Sequence, residues 1–160
     1  MRLEPGNAAW QAAAGSAAEQ SGDLVEALAY YKQAVALDPQ GAEYWRSLVA
    51  FCAQYQVEVA ETGLPAARRL LALAPQDWQS QDAMGQVAQV AGDPMGAENY
   101  YLRALDLAPE QAAPYFHLAV LYLQLGRAQP AYDNLAKARK LDPDGPYGWQ
   151  AWRLLERYFP

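Results

Sequence analysis

The chain has 160 residues, a net charge of −6 at pH 7 and 52% apolar residues. This length suits one compact domain or one short repeat array rather than several independent domains. An acidic chain with only three lysines is unsuited to nucleic acid, because neutralisation of phosphates supplies much of that affinity, and the sequence contains no apolar run of about 18 residues that predicts a membrane-spanning helix.

The cysteine content and the N-terminal segment bear on the compartment. A single cysteine, Cys52, excludes an intrachain disulfide and favours a reducing environment. Residues 1–5 lack the apolar stretch of a signal peptide. We therefore expect a cytoplasmic protein, or an exported one if a signal peptide precedes this sequence in the natural protein. The abundance of alanine, and of arginine over lysine, favours a bacterial source.

Five prolines recur along the chain at almost constant spacing. The steps between them are 34, 36, 34 and 34 residues, and each proline has a leucine two positions before it. A fixed period of this length indicates a repeat architecture. The prolines are Pro5, Pro39, Pro75, Pro109 and Pro143.

Each period predicts two helices. In three periods a glycine, Gly22, Gly92 or Gly126, lies 17 residues before the next proline. Glycine accepts the positive φ angle at a helix end, proline cannot continue a helix, and apolar residues on both sides recur at helical spacing. In chain order we expect a repeat remnant or N-terminal cap over 1–7, four repeats over 8–41, 42–75, 76–109 and 110–143, and a capping helix over 144–160.

This unit of helix, glycine, helix and proline resembles the tetratricopeptide repeat. The resemblance covers nearly the whole chain, although no repeat matches the family pattern in full. It implies an all-α, right-handed superhelical solenoid of about four helix-turn-helix repeats plus a C-terminal capping helix. The matching residues are Ala14, Gly15, Ala27 and Tyr31 in the first repeat, Trp45 and Leu48 in the second, Met84, Gly85, Ala97 and Tyr101 in the third, and Tyr115, Leu118, Ala119, Tyr122 and Ala131 in the fourth.

The second repeat is atypical because it has no glycine near Glu58 and carries two extra residues. The stretch from Tyr44 to Glu61 contains neither glycine nor proline, so it can form one long helix. A turn at Thr62 and Gly63 and a short helix beginning at Pro65 would follow. An ordinary loop insertion is the alternative.

The last segment begins like a fifth repeat but has Arg153 where a small residue is expected and Glu156 where a buried one is expected. It is therefore predicted to cap the solenoid, whose end would otherwise expose an apolar face. We expect its apolar arc to pack on Leu135 and Ala138. That arc consists of Trp149, Trp152, Leu155 and Phe159.

In the family that the chain resembles, the first helix of each repeat lines a concave groove. The groove predicted here is polar towards the N-terminus and apolar at Phe116, Val120 and Leu123, and an outward apolar stripe usually marks an interaction site. Coverage of this stripe by the capping helix is the alternative. The family's lysine-rich peptide clamp is not expected, since the groove has no lysine and Arg46 alone does not form one. The predicted partner-binding residues are Arg46, Ser47, Gln79, Asp82, Gln86, Phe116, His117, Val120, Leu123 and Gln124.

The sequence offers little for chemistry. His117 is the only histidine, and use in catalysis or metal binding would require convergent partners. Cys52 lies on the inner apolar stripe, which favours a packing role. We expect no catalytic residues, no metal and no cofactor.

These observations predict a non-catalytic protein–protein interaction scaffold that binds a segment of a protein or peptide partner in its groove. An assembly factor or a fragment of a larger bacterial repeat protein would fit this prediction. The alternative is a self-association module that forms homo-oligomers through its terminal repeats.

Overall fold

The computed structural model describes residues 6–160, so the predicted remnant over 1–7 lies outside the described residues except for Gly6 and Asn7. Over this range the chain is all-α and contains no β-strand, which confirms the predicted fold class. The helices are α1 (Ala8–Ser21), α2 (Leu24–Leu37), α3 (Ala42–Tyr55), a π-helical turn (Val59–Gly63), α4 (Leu64–Leu73), α5 (Trp78–Val90), α6 (Pro94–Leu107), α7 (Ala112–Gln124), α8 (Ala128–Leu141) and α9 (Pro146–Tyr158).

The helices form two compact units. The N-terminal unit ends at Pro75 and contains α1 to α4, and the C-terminal unit spans Gln76–Pro160 and contains α5 to α9. Each predicted repeat holds one antiparallel pair of helices, and the two units meet in sequence at the boundary between the second and third predicted repeats. The organisation of residues 1–160 as a single array stays a prediction.

Glycines end the first helix in three of the four repeats. Gly22, Gly92 and Gly126 have φ angles of 86°, 83° and 70°. After Gly22 the amide of Asp23 donates to the carbonyl of Ala18 at 2.9 Å, which satisfies one of the carbonyls left over at the helix end. The predicted helix ends follow from this local geometry.

Side chains cap the helices that begin after Gly22 and Gly92. Asp23 Oδ1 accepts from the Glu26 amide at 3.0 Å, and Asp93 Oδ1 accepts from the Gly96 amide at 2.9 Å. Asn7 performs the same role at the start of α1. Each cap satisfies an amide that has no partner inside its helix.

Within a repeat, the two helices approach closely where a small residue meets a large one. A Cβ atom added to Gly15 would lie 2.9 Å from the ring of Tyr31, and one added to Gly85 would lie 2.6 Å from the ring of Tyr101. In the fourth repeat the equivalent positions hold Ala119 and Leu135, both fully buried in one apolar cluster. The family pattern of small and aromatic residues therefore encodes the packing of the helix pairs in the first and third repeats.

The second repeat reverses these sizes. The corresponding positions hold Val49 in α3 and Ala67 in α4, and both side chains are completely buried. The larger residue of the pair therefore lies on the first helix. Phe51 of the same helix is also buried, and its ring contacts that of Tyr31 in the preceding repeat at 5.5 Å between centroids.

The connection after α3 differs from the prediction of one long helix over Tyr44–Glu61, which is wrong. Helix α3 ends at Tyr55, and Gln56 and Glu58 adopt left-handed φ angles of 55° and 44°. Residues Val59–Gly63 then form a π-helical turn that leads into α4. The extra residues of this repeat are taken up in the connection, since a π-helical turn is wider than an α-helical one.

An ion pair secures this connection. Lys32 Nζ lies 2.6 Å from Glu58 Oε2, and Thr62 also donates to the Glu58 carboxylate. These hydrogen bonds, first that of Lys32, lower the pKa of Glu58. The left-handed Glu58 is therefore held from both α2 and the π-helical turn.

Helix α9 packs against α7 and α8. Leu155 and Phe159 of its predicted apolar arc pack against the buried cluster that contains Leu135 and Ala138, which confirms the predicted contact for these two residues. The predicted face is wrong at Trp149, which is 54% exposed. The buried residues of α9 are instead the small Gly148 and Ala151.

Candidate functional site: the first-helix face of the C-terminal unit

In the C-terminal unit the first helices α5, α7 and α9 lie side by side, because α7 contacts both α5 and α9. Helices α6 and α8 pack behind them. We call the groove positions of these three first helices the first-helix face. Its residues are Gln79, Asp82, Gln86, Gln89, Phe116, His117, Val120, Leu123, Gln124, Gln150, Leu154 and Arg157.

A polar network joins α5 to α7 at the centre of this face. Asp82 Oδ1 lies 2.9 Å from His117 Nδ1, and Asp82 Oδ2 accepts from Gln86 Nε2 at 2.8 Å. Asp82 is only 5% exposed. The expectation that Asp82 contacts a partner directly is therefore corrected: its carboxylate lies beneath the surface and orients His117 and Gln86, which are half-buried.

Aromatic rings fix the other sides of His117. The Tyr147 ring of α9 lies nearly perpendicular to the imidazole, at 88° and 5.5 Å between centroids, and the Tyr101 ring lies 5.9 Å away. The histidine is thus held between a carboxylate and two aromatic residues. It presents a restricted, largely pre-organised surface rather than a mobile side chain.

A second polar contact continues the face along the same two helices. Gln89 Nε2 donates to Gln124 Oε1 at 2.8 Å, and the hydroxyl of Tyr101 donates to Gln89 Oε1 at 2.7 Å. Gln124 is exposed. Because Gln89 is fixed from behind, its amide orients Gln124 towards solvent.

The apolar stripe predicted on α7 is partly covered. Phe116 is half-buried and its ring lies 5.8 Å from that of Tyr147. Leu123 packs against both apolar clusters of the unit. The alternative expectation, coverage by the capping helix, therefore holds for Phe116. Val120 is half-buried and belongs to neither cluster.

A pocket of about 260 Å³ opens between α7 and α9 at the end of this face. Phe116 and Leu154 contribute apolar surface, and polar side chains complete the lining. The lining residues are Phe116, Gln150, Arg153, Leu154 and Arg157. The sequence prediction missed the four residues on α9. A signal was present, since Gln150, Leu154 and Arg157 lie four repeat lengths after Ala12, Ser16 and Glu19 of α1, the first helix of the first repeat.

The remaining predicted residues are Arg46, Ser47 and Gln79. Arg46 and Ser47 are half-buried neighbours on α3 in the N-terminal unit, where the Ser47 hydroxyl donates to the carbonyl of Glu43 at 3.1 Å. Gln79 is half-buried in the first turn of α5, and its backbone N–H donates to Asp77 Oδ1 at 3.3 Å. The structure thus brings Asp82, Gln86, Phe116 and His117 together, and it does not join Gln79 to their hydrogen bonds.

The described residues offer few groups for chemistry. They contain no cluster of three or more histidine, cysteine, aspartate or glutamate residues that could hold a metal ion. Cys52 is fully buried, and burial raises the pKa of its thiol to about 11, so the thiol stays protonated at neutral pH. None of the described helices has the length and apolar character needed to cross a bilayer.

Comparison with known proteins gives the family. The sequence model of the tetratricopeptide repeat matches residues 1–42 and 83–146, more than half of the chain. The chain therefore belongs to the tetratricopeptide repeat family, whose members are generally non-catalytic, and it is a protein-interaction scaffold. No curated protein sequence matches it.

Solved structures of MamA share the fold. One crystal structure of MamA protein is 17% identical, with a TM-score of 0.65 over 94% of this chain and 81% of that one. MamA 41-end from Desulfovibrio magneticus RS-1 is 19% identical, with a TM-score of 0.67 over 88% of this chain and 79% of that one. MamA AMB-1 is 19% identical, with a TM-score of 0.68 over 91% and 85%. At this identity the likeness concerns the fold alone.

Proposed function

We propose that the first-helix face of the C-terminal unit holds an extended segment of a partner protein. One observation carries the proposal: side chains from three consecutive first helices meet there in a continuous surface that is already ordered, through the Asp82–His117 pair and the Tyr147 ring. Ordered side chains lose little conformational freedom on binding, which favours affinity.

The experiment is a selection from a library of random peptides, followed by mapping of the selected peptides with methyl NMR. We expect the methyl signals of Val120, Leu123 and Leu154 to shift on binding. Peptides that bind but shift only methyl groups of α2, α6 or α8 would contradict the proposal.

A matched pair of variants tests the same surface. Val120→Arg places a charge on the first-helix face and should weaken binding of the selected peptides at least tenfold. Leu102→Arg makes the same type of change at an exposed leucine of α6, 43% exposed, and should leave binding unchanged. Equal affinities of the two variants would count against the first-helix face.

Self-association is a second candidate function, and a groove on the N-terminal unit favours it. The described residues of α1 and α2 leave a depression of about 510 Å³ with an alanine-rich apolar lining. Its lining residues are Trp10, Ala13, Ala14, Ala17, Ala18, Ser21, Glu26 and Tyr30. A helix from a second copy could pack on so smooth a surface.

Sedimentation over a range of protein concentrations tests this candidate. If copies associate through the groove, Ala17→Lys shifts the chain towards the monomer, whereas Ala36→Lys, at an exposed site outside the groove, does not. A wild-type chain that stays monomeric at high concentration excludes the candidate.

A further inference from the structure

We propose that the pocket between α7 and α9 anchors a partner segment in which a large apolar side chain stands next to aspartate or glutamate side chains. This inference rests on the proposed function, since it identifies the chemistry of the segment that the first-helix face would hold. It starts from the division of the pocket into an apolar part and a cationic part.

The apolar part fits a single side chain. Phe116 from α7 and Leu154 from α9 line the pocket, and its volume is about 260 Å³. This is smaller than the cavities that take drug-sized ligands, which begin at roughly 300 Å³. The space therefore suits one aromatic or long aliphatic side chain of a peptide.

The cationic part consists of Arg153 and Arg157, which belong to an acidic chain of net charge −6. Within the described part of the chain neither arginine forms an ion pair. Each guanidinium lies over an aromatic ring of its own helix, Arg153 at 4.9 Å from Trp149 and Arg157 at 5.3 Å from Tyr158. The rings orient the two groups but leave their charge to be neutralised by another molecule.

The spacing of the arginines favours side-chain carboxylates as their partners. Positions four apart on a helix lie on one side, a little more than one turn or roughly 6 Å apart along the axis. Two such cations match acidic side chains at alternate positions of one extended segment, which share a face and lie about 6.6 Å apart, better than the single carboxylate of a chain terminus. Guanidinium groups bind carboxylates through paired hydrogen bonds, which adds geometric selectivity to the charge.

The test uses an array of peptides with acetylated and amidated ends, each with one central phenylalanine or leucine. Flanking positions are acidic, or carry asparagine and glutamine, or are basic. We expect the acidic members to bind at least tenfold more tightly than their amide counterparts, and the difference to shrink as NaCl is raised. Peptides with a free C-terminus should bind no better than amidated ones.

Variants assign this preference to the pocket. Arg153→Gln with Arg157→Gln should abolish the preference for acidic flanks, while Arg103→Gln should retain it. Arg103 is a matched control because its guanidinium also lies over a ring of its own helix, at 5.7 Å from Tyr100, on α6. Should the double variant not fold, as judged by circular dichroism, the single Arg157→Gln variant is expected to lose at least threefold of the preference.

The outcomes separate this inference from the proposed function. Peptides that shift the Val120 and Leu123 methyl groups without any acidic preference overturn the anchor site and leave the proposed function standing. An acidic preference that survives the arginine substitutions, or that depends on a free C-terminus, also overturns the anchor site. An array and a random library that both yield no binder overturn both proposals.

Discussion

At the scale of single residues, glycine in α1 and in α5 leaves space for a tyrosine ring of the facing helix. Tyr31 and Tyr101 fill the space above Gly15 and Gly85 and, from there, reach a polar side chain of the facing helix. The Tyr31 hydroxyl donates to Glu19, and that of Tyr101 donates to Gln89, both at 2.7 Å. The same pair of contacts, a ring packed on glycine and a hydroxyl bonded to a polar side chain of the first helix, therefore joins the two helices in the first and third repeats.

The Gly85→Ala variant should be destabilised. The added Cβ would lie 2.6 Å from the Tyr101 ring, which is fully buried and cannot move away freely. We expect a loss of about 1–3 kcal/mol in the free energy of unfolding, typical of overpacking, measured by urea denaturation. Gly6→Ala, which has no atom within 4 Å of the added Cβ, serves as the control.

The double variant Gly85→Ala with Tyr101→Leu should show favourable coupling between the two changes, because it reproduces the alanine and leucine found in the fourth repeat. Purely additive losses would indicate that the ring does not set the size limit at Gly85.

At the scale of helices, the pairs are held by alanines at the points of closest approach. Ala104 and Ala138 are both completely buried, in α6 and α8. Ala138 shares its cluster with Leu135 and with Ala151 of α9, so it serves two helix contacts at once. Larger side chains at such positions force neighbouring helices apart.

Ala138→Leu should therefore destabilise the chain by about 1–3 kcal/mol, and Ala104→Leu by a similar amount. Ala128→Leu, at an exposed position of the same helix α8, should change stability by less than about 0.5 kcal/mol. Urea denaturation of the three variants measures the difference. An unchanged midpoint for Ala138→Leu would show that α8 and α9 are not closely packed in solution.

Helix α9 should be needed for a cooperative fold, although the side chain of its exposed Trp149 should not be. Deletion from Gly145 onward uncovers Leu135 and Ala138, so we expect aggregation or a broadened unfolding transition, detected by gel filtration and urea denaturation. Trp149→Ala should cost little, because this side chain is 54% exposed. A truncated chain that remains monomeric and equally stable would indicate that α9 does not act as a cap.

Local signals were sufficient to predict most helix ends. The side-chain contacts that join different repeats could not be predicted from such signals. The end of α1 at Gly22 and the cap by Asp23 depend only on neighbouring residues, so the sequence predicts them. The left-handed Gln56 and Glu58 carry no such signal, since neither is a glycine. The pairing of Asp82 with His117 joins different repeats, and its burial depends on packing that periodicity does not describe.

At the scale of the whole chain, buried tyrosines occur in both compact units and connect its stability to alkaline pH. Burial raises the pKa of Tyr31 and Tyr101 well above the usual value of 10.0. Burial, followed by the hydrogen bond to Glu98, raises the pKa of Tyr122 to about 12. The folded state therefore holds these protons more tightly than the unfolded state does.

This sign predicts alkaline destabilisation. The stabilising contribution of these tyrosines is complete below pH 10 and decreases as the pH rises from about 10 towards their folded-state pKa values. Urea midpoints measured from pH 8 upward should fall most steeply above pH 10. Tyr101→Phe should lower the stability at pH 8 but make the alkaline decline shallower, whereas Tyr132→Phe, at an exposed tyrosine, should leave the decline unchanged. An equal slope for both variants would contradict this explanation.

The reversed sizes in the second repeat restrict how such a chain can evolve by recombination. In the first and third repeats, glycine on the first helix leaves room for tyrosine on the second helix. In the second repeat the corresponding positions hold Val49 on α3 and Ala67 on α4. A crossover inside a hairpin would place valine against tyrosine, or leave a void between glycine and alanine. A crossover between hairpins preserves every pair. Duplication and loss should therefore act on complete hairpins, while single helices stay bound to their original partners.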